Sequence, residues 1–127
     1  GIGAVGQESL ASAGIRTFPL VAIASCGFVL VGIAILGRTS PAQARLLEGL
    51  ITGVGFIGGG AILKHAGKAS GTATAASLWA TGALGAAVGY GLYDIAVTLS
   101  LTTFLTLHLS HPLKRASQDR TEPADRQ

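Results

Sequence analysis

Glu48 is the side chain whose type and setting most invite a chemical role. It is a carboxylate two residues into an apolar run that is otherwise uncharged until Lys64. Acids at membrane depth mark ion paths, proton relays or paired charges. Glu48 lies near the end of its run, so exposure at an interface or pairing with Arg45 accounts for it equally well. Arg16 and Thr17 stand immediately ahead of another apolar stretch. There they would anchor a helix at the membrane surface or form a recognition site on its cytoplasmic side. Thr74 and Ser77, within GTATAAS at 71–77, have no acid or base nearby in the sequence. Nucleophilic catalysis would find no partner there to take the proton, so both remain candidate functional polar groups. His65, His108 and His111 do not share one helix face, and no Cys or carboxylate joins them. We therefore expect no metal and no cofactor. Cys26 is alone in an apolar run, which leaves no disulfide framework and makes it a small buried hydrophobe.

Glycine supplies the other conspicuous pattern. Residues 49–63 read GLITGVGFIGGGAIL, with glycine at 49, 53, 55, 58, 59 and 60. Each interior glycine costs a helix in water about 1 kcal/mol relative to alanine. In a bilayer, backbone hydrogen bonds must close within the segment, and small residues let neighbouring helices approach closely. Gly49 and Gly53, Gly55 and Gly59, and Gly85 and Gly89 show the four-residue spacing of such contacts. Gly58, Gly60 and Gly82 join them as expected helix-packing positions. Gly1-Gly3-Gly6 and Gly53-Gly55-Gly58 both match GxGxxG, but a dinucleotide fold needs a strand before it and an acid about 20 residues on. After Gly58 the first acid is Asp94. Close helix packing is the simpler reading, and no nucleotide partner is expected. A broken helix lining a cavity is the other use of so dense a cluster.

These residues need apolar elements to position them. The chain has 127 residues, about one domain, of which 49% are hydrophobic and 12% charged. Soluble domains carry about 25% charge. Seven charges crowd the last fourteen residues, while between Glu48 and Asp94 only Lys64 and Lys68 are charged. That is a membrane body with a solvated tail. The net charge of +3 comes without the aromatic-studded basic face that nucleic acid requires, so no nucleic-acid partner is expected. The chain begins at Gly1, not Met, and shows no basic start or cleavage site of a signal peptide. Native sequence upstream is expected.

The expected fold is all-α: a polytopic transmembrane bundle of four full spans plus a truncated N-terminal helix. Residues 1–6 would be the end of that truncated helix, and 7–17 would lie in water. Pro19 would open the first span, which runs to Leu36. A length of 18 residues gives about 27 Å, just enough for a hydrocarbon core of about 30 Å. Ser40-Pro41 signals the next helix start, and the second run covers 46–63. After the polar loop 64–71, a third run covers 72–92, where Tyr90 and Tyr93 suit an interface and Asp94 could cap the next helix. Trp79, within that run, reads as an interfacial or packing residue. The fourth run, 95–111, alternates polar and apolar, yet a lone strand cannot close in a membrane. As a helix it places Thr98, Thr102, Thr106 and Ser110 on one face, able to bond their own carbonyls or a neighbour. Pro112 would end it. Residues 1–112 would form the membrane domain and 113–127 a disordered cytoplasmic tail. Counting basic residues on alternate sides gives seven against two, which puts the C-terminus in the cytoplasm.

Four blocks, AGIRT at 13–17, GVGFIGGGAIL at 53–63, SGTATAASLW at 70–79 and GALGAAVGYG at 82–91, together resemble the membrane domain of the MgtC/SapB family. The resemblance implies a bacterial inner-membrane protein of about five helices, linked to growth in low magnesium and, in some members, to virulence. It also implies a regulatory role through membrane protein partners, and not transport. Arg16 and Thr17 match the family. Val5 and Gly6 stand where it tends to have an acid and an arginine, Gly49 where a glutamine is usual, Ser70 where a basic residue is usual and Ala73 where a polar one is. Some members carry a cytoplasmic C-terminal domain, for which the short tail leaves no room.

Two functions fit these features. One is a non-enzymatic regulator that binds other membrane proteins, or itself, through glycine-rich faces. The alternative is a small transporter or channel subunit for Mg2+ or another cation, with Glu48, the glycines and the hydroxyl stripe lining a path. A soluble nucleotide-binding domain is a distant third.

Overall fold

A computed structural model describes the backbone of residues 2–64 and 69–121 and the side chains of residues 15–64 and 71–110. The described chain is all-helical. It comprises α1 (Ile2–Leu36), α2 (Gln43–Lys64), α3 (Ala69–Gly89) and α4 (Tyr93–Thr121).

The connections obey local chemistry. Gly37, with φ 78°, ends α1 in the left-handed conformation that costs glycine least. Ser40 then accepts a hydrogen bond from the Ala42 backbone N–H at 3.2 Å, the capping geometry expected of a Ser-Pro start. At the end of α3 the Leu92 N–H bonds the Ala87 carbonyl at 2.8 Å and the Gly91 N–H bonds that of Val88 at 3.0 Å. Gly91 has φ 75°. This is the Schellman arrangement, closed by the residue that tolerates it. Asp94 lies in the first turn of α4, beyond the cap position, where a carboxylate complements the positive helix end.

Two expected boundaries are corrected. Residues 2–36 form one helix with Pro19 inside it, so 1–6 and the polar stretch 7–17 are not set apart from the first apolar span. The polar composition of 7–17 speaks of solvent contact, but Gln, Glu, Leu and Ala are good helix formers. A proline within a long apolar helix is tolerated where neighbouring groups re-satisfy the freed carbonyl. Likewise α4 runs past Pro112 to Thr121. The stretch 113–121 is therefore helical, and the expected disorder of 122–127 falls outside the described residues. The alternating segment is a helix, as expected. Thr98 donates to the Asp94 carbonyl at 2.8 Å, Thr102 to that of Thr98, and Thr106 to that of Thr102 at 2.7 Å. Ser110 reaches the Leu107 carbonyl at 3.3 Å, one residue short of the i−4 pattern.

The helix α3 is the hub. It touches each of the other three, α1 meets α2 lightly, and among the described residues α4 packs on α3 alone. The reason is the size of its residues. A Cβ built on Gly85 would overlap the Ala22 carbonyl oxygen and lie 2.9 Å from the Ala22 Cα. One on Gly89 would lie 2.8 Å from the Val29 Cβ, and one on Gly82 2.9 Å from the Val54 methyls. In α2, by contrast, only Gly58 faces a neighbour, with Ala75 at 3.4–3.7 Å. Gly49, Gly53, Gly55, Gly59 and Gly60 meet nothing within 4 Å. The packing spine of this chain is therefore α3, not the denser glycine cluster of α2.

The core is thin. Val21, Val54 and Leu78 form a buried cluster, with Phe18, Leu50 and Ala61 packed against it. Large apolar side chains such as Phe28, Phe56, Leu63, Leu101 and Phe104 are exposed. Two helical segments, Ile15–Leu36 and Gln43–Lys64, are long and apolar enough to cross a bilayer, with mean hydropathy 2.5 and 1.7. Only 22% and 11% of their apolar windows are buried, whereas a soluble protein would enclose such helices.

Candidate functional site

The antiparallel run of α1 and α2, with α3 beside both, decides which polar groups meet. Phe18 and Ala61 pack on the same cluster, and Gly58 faces Ala75. Thr17 and Thr74 therefore lie towards one end of the bundle, next to these contacts. Arg16 is exposed at that end. Glu48 is exposed thirteen residues before Ala61, about 20 Å away along α2. It forms no ion pair with Arg45 among the described residues. Its backbone carbonyl accepts the Thr52 hydroxyl at 2.9 Å. Ser77 donates to the Ala73 carbonyl at 2.9 Å, and Thr81 to that of Ser77 at 2.7 Å. These hydroxyls satisfy their own helices. Arg16, Thr17 and Thr74 thus lie towards the same end of the bundle, and Glu48 stands apart from them.

Among the described residues no group of His, Cys, Asp and Glu could hold a metal. His108 stacks on Phe104 with ring centroids 5.7 Å apart and planes 8° from parallel. His65 lies outside the described residues, as does the His111 side chain, and so do the side chains of Val5 and Ser70 and the surroundings of Gly6.

Two arrangements escaped the sequence. The first is a polar clamp where α1 ends, α2 begins and α3 ends. The Tyr90 hydroxyl donates to Gln43 Oε1 at 2.7 Å, Gln43 Nε2 to the Gly37 carbonyl at 2.9 Å, and Arg38 Nη1 to the Tyr90 carbonyl at 3.2 Å. Tyr90 reads from sequence as an interface residue, and nothing in the spacing pairs it with Gln43, 47 positions away.

The second is a cleft of about 400 Å³ between α1 and α2, lined by Ala24, Ser25, Phe28, Leu46, Gly49, Leu50, Gly53, Val54 and Ile57. The two helices touch where Leu46 packs on Gly32. Ser25 is 1% exposed. A second apolar cleft, about 550 Å³, lies over α3 between α2 and α4 and is bordered by Trp79, Gly82, Tyr90 and Leu99. A serine inside an apolar run carried a signal for the first cleft, but only the packing of α1 beside α2 reveals it.

A helical bundle that leaves its large apolar side chains exposed and holds two helices long and apolar enough to cross a bilayer has the character of a membrane protein. The chain belongs to the MgtC family, whose model matches residues 2–116. It is similar to Protein SrpB of Synechococcus elongatus, 42% identical over 118 residues, which are 84% of this chain and 65% of that protein. It is also similar to the "Putative magnesium transporter YhiD" of Escherichia coli K12, 34% identical over 120 residues, 87% of this chain and 56% of that one. Protein MgtC of Brucella abortus is 35% identical over 101 residues, 80% of this chain and 42% of that protein. The chain thus spans from 42% to 65% of the length of these relatives. No solved structure matches it.

Proposed function

We propose that this chain is a multi-pass protein of the bacterial inner membrane that works by seating other membrane proteins against α2, in the adaptation to low magnesium that the family resemblance implies. It needs no catalytic chemistry of its own for that role. The observation that carries the reading is the set of open glycines on α2. Gly49, Gly53, Gly55, Gly59 and Gly60 contribute nothing to packing within the described chain, yet each weakens α2. Glycines of that kind let another helix approach closely. All four helices cross the bilayer on this reading. The excess of basic residues on one side argues for a cytoplasmic C-terminus and for the loop holding Arg38 lying outside.

Growth of a deletion strain at low magnesium tests it. The wild-type chain restores growth, while Gly59→Leu, inserted and helical to the same extent, does not. Restoration by Gly59→Leu would refute the reading. The name of YhiD favours a second one, in which this chain moves Mg2+ and Glu48 meets the ion. Mg2+ flux into liposomes that disappears with Glu48→Gln would establish transport and displace the first.

A further inference from the structure

We propose that the second cleft, over α3 between α2 and α4, holds an acyl chain of a phospholipid whose phosphate sits on Arg38. This rests on the helices crossing the bilayer, as in the reading above, and not on a protein partner. The first support is depth. The wall runs from Leu47 to Val54 on α2, from Trp79 on α3 to Tyr90 just after it, and from Ile95 to Leu99 on α4. On α2 and α3 these residues occupy the half next to the α3–α4 turn, and on α4 the first two turns. Trp79 and Tyr90 stand about 16 Å apart along α3, about half of a hydrocarbon core of about 30 Å. The cleft is therefore one leaflet deep. A transmembrane helix has about twice that length to cover, whereas an acyl chain belongs to a single leaflet. A volume of about 550 Å³ suits one small apolar ligand.

The second support is the cation at its end. Arg38 Nη1 donates to the Tyr90 carbonyl at 3.2 Å and lies 3.9 Å from the place of a Cβ on Gly91. Tyr90 and Leu92, on either side of Gly91, both line the cleft. The guanidinium is thus pinned at the turn where the cleft ends. Glu48 and Asp94 are the carboxylates nearest in sequence to this end, yet among the described residues Arg38 has that one hydrogen bond and no ion pair. Its side chain is exposed. The other N–H groups of its planar fork match the oxygens of a phosphate. The level is right as well. Arg38 follows the apolar segment Ile15–Leu36 directly after Gly37. Tyr93, 65% exposed beside the same turn, carries a ring of the kind that settles among headgroups. A wholly apolar occupant would fill the cleft and leave the guanidinium to water. A phospholipid meets both features.

Trp79 is the chain's one tryptophan, lines the deep end of the cleft and is 57% exposed, so its emission reports occupancy. The test strips the full chain of lipid in a phosphate-free maltoside detergent. It is then titrated with phosphatidylglycerol brominated near the ends of its acyl chains, since bromine quenches indole emission on contact. Quenching should saturate, and diacylglycerol with the same brominated chains should bind about five- to tenfold more weakly. Arg38→Gln should lower the affinity for phosphatidylglycerol to that for diacylglycerol, while Arg38→Lys should keep most of the preference. Ala83→Phe adds a ring at an exposed position of the wall. It should remove saturable quenching by both lipids and keep the helicity and thermal stability of wild type. Equal affinity for the two lipids, or phosphatidylglycerol binding untouched by Arg38→Gln, would overturn the assignment. Displacement of the brominated lipid by inorganic phosphate would overturn it in favour of a free anion. A dimer in detergent that Ala83→Phe converts to monomer would overturn it in favour of a second copy. In vesicles, bromines at the chain ends should quench Trp79 more than bromines near the glycerol. The reverse order would show that α3 does not cross the bilayer, and both readings would fall. Chain-end quenching without a headgroup preference removes the lipid site alone, and growth restored by Gly59→Leu removes the partner role alone.

Discussion

Adding one methyl group at Gly85 and one at Gly53 should move stability in opposite directions. At Gly85 the new Cβ would overlap the Ala22 carbonyl oxygen and sit 2.9 Å from the Ala22 Cα. Ordinary contact begins at about 3.4 Å. The obstacle is backbone, which no rotamer change relieves, so α1 and α3 must part by about half an ångström or more. Overpacking of this kind costs about 1–3 kcal/mol, against which alanine returns up to about 1 kcal/mol of helix propensity. The net loss for Gly85→Ala should be about 1–2 kcal/mol, and larger for Gly85→Val. At Gly53 nothing lies within 4 Å. Gly53→Ala should then be neutral or stabilising by up to about 1 kcal/mol. Reversible unfolding of the purified chain in bicelles would measure both variants against wild type. A Gly85→Ala variant as stable as wild type would refute the assignment of α3 as the packing spine. A Gly53→Ala variant destabilised by more than about 1 kcal/mol without any partner present would do the same from the other side.

Gly91→Ala forces a side chain into the left-handed conformation at φ 75° and should destabilise by about 1–2 kcal/mol in the same unfolding assay. Tyr90→Phe removes the hydrogen bond to Gln43. It should cost about 0.5–1.5 kcal/mol, and a double-mutant cycle with Gln43→Ala should return most of that as coupling. Ser40→Ala deletes the cap of α2 and should cost about 0.5–2 kcal/mol. A loss as large in Thr39→Ala would show that the cost did not come from the cap.

Much of the architecture was legible because a bilayer constrains sequence strongly. The apolar runs, the Ser40-Pro41 start and the helical reading of the alternating stretch 98–110 come from composition and from the need to close every backbone hydrogen bond. Pro19 and Pro112 misled because proline reports a missing N–H and a fixed φ. Whether a helix ends there depends on what surrounds it. The polar candidates were legible one by one, but their separation was not. That Glu48 stands about 20 Å along α2 from Ala61 follows only from how the helices run.

By itself the sequence determined that the chain is helical, apolar and rich in positions without side chains, since those are matters of residue type and spacing. It could not say which glycines would be spent on contacts within the chain. That depends on the distance and crossing of helices far apart in sequence. Only the tertiary structure set Gly85 against Ala22, left Gly53 open, and placed Ser25 in the wall of the cleft between α1 and α2.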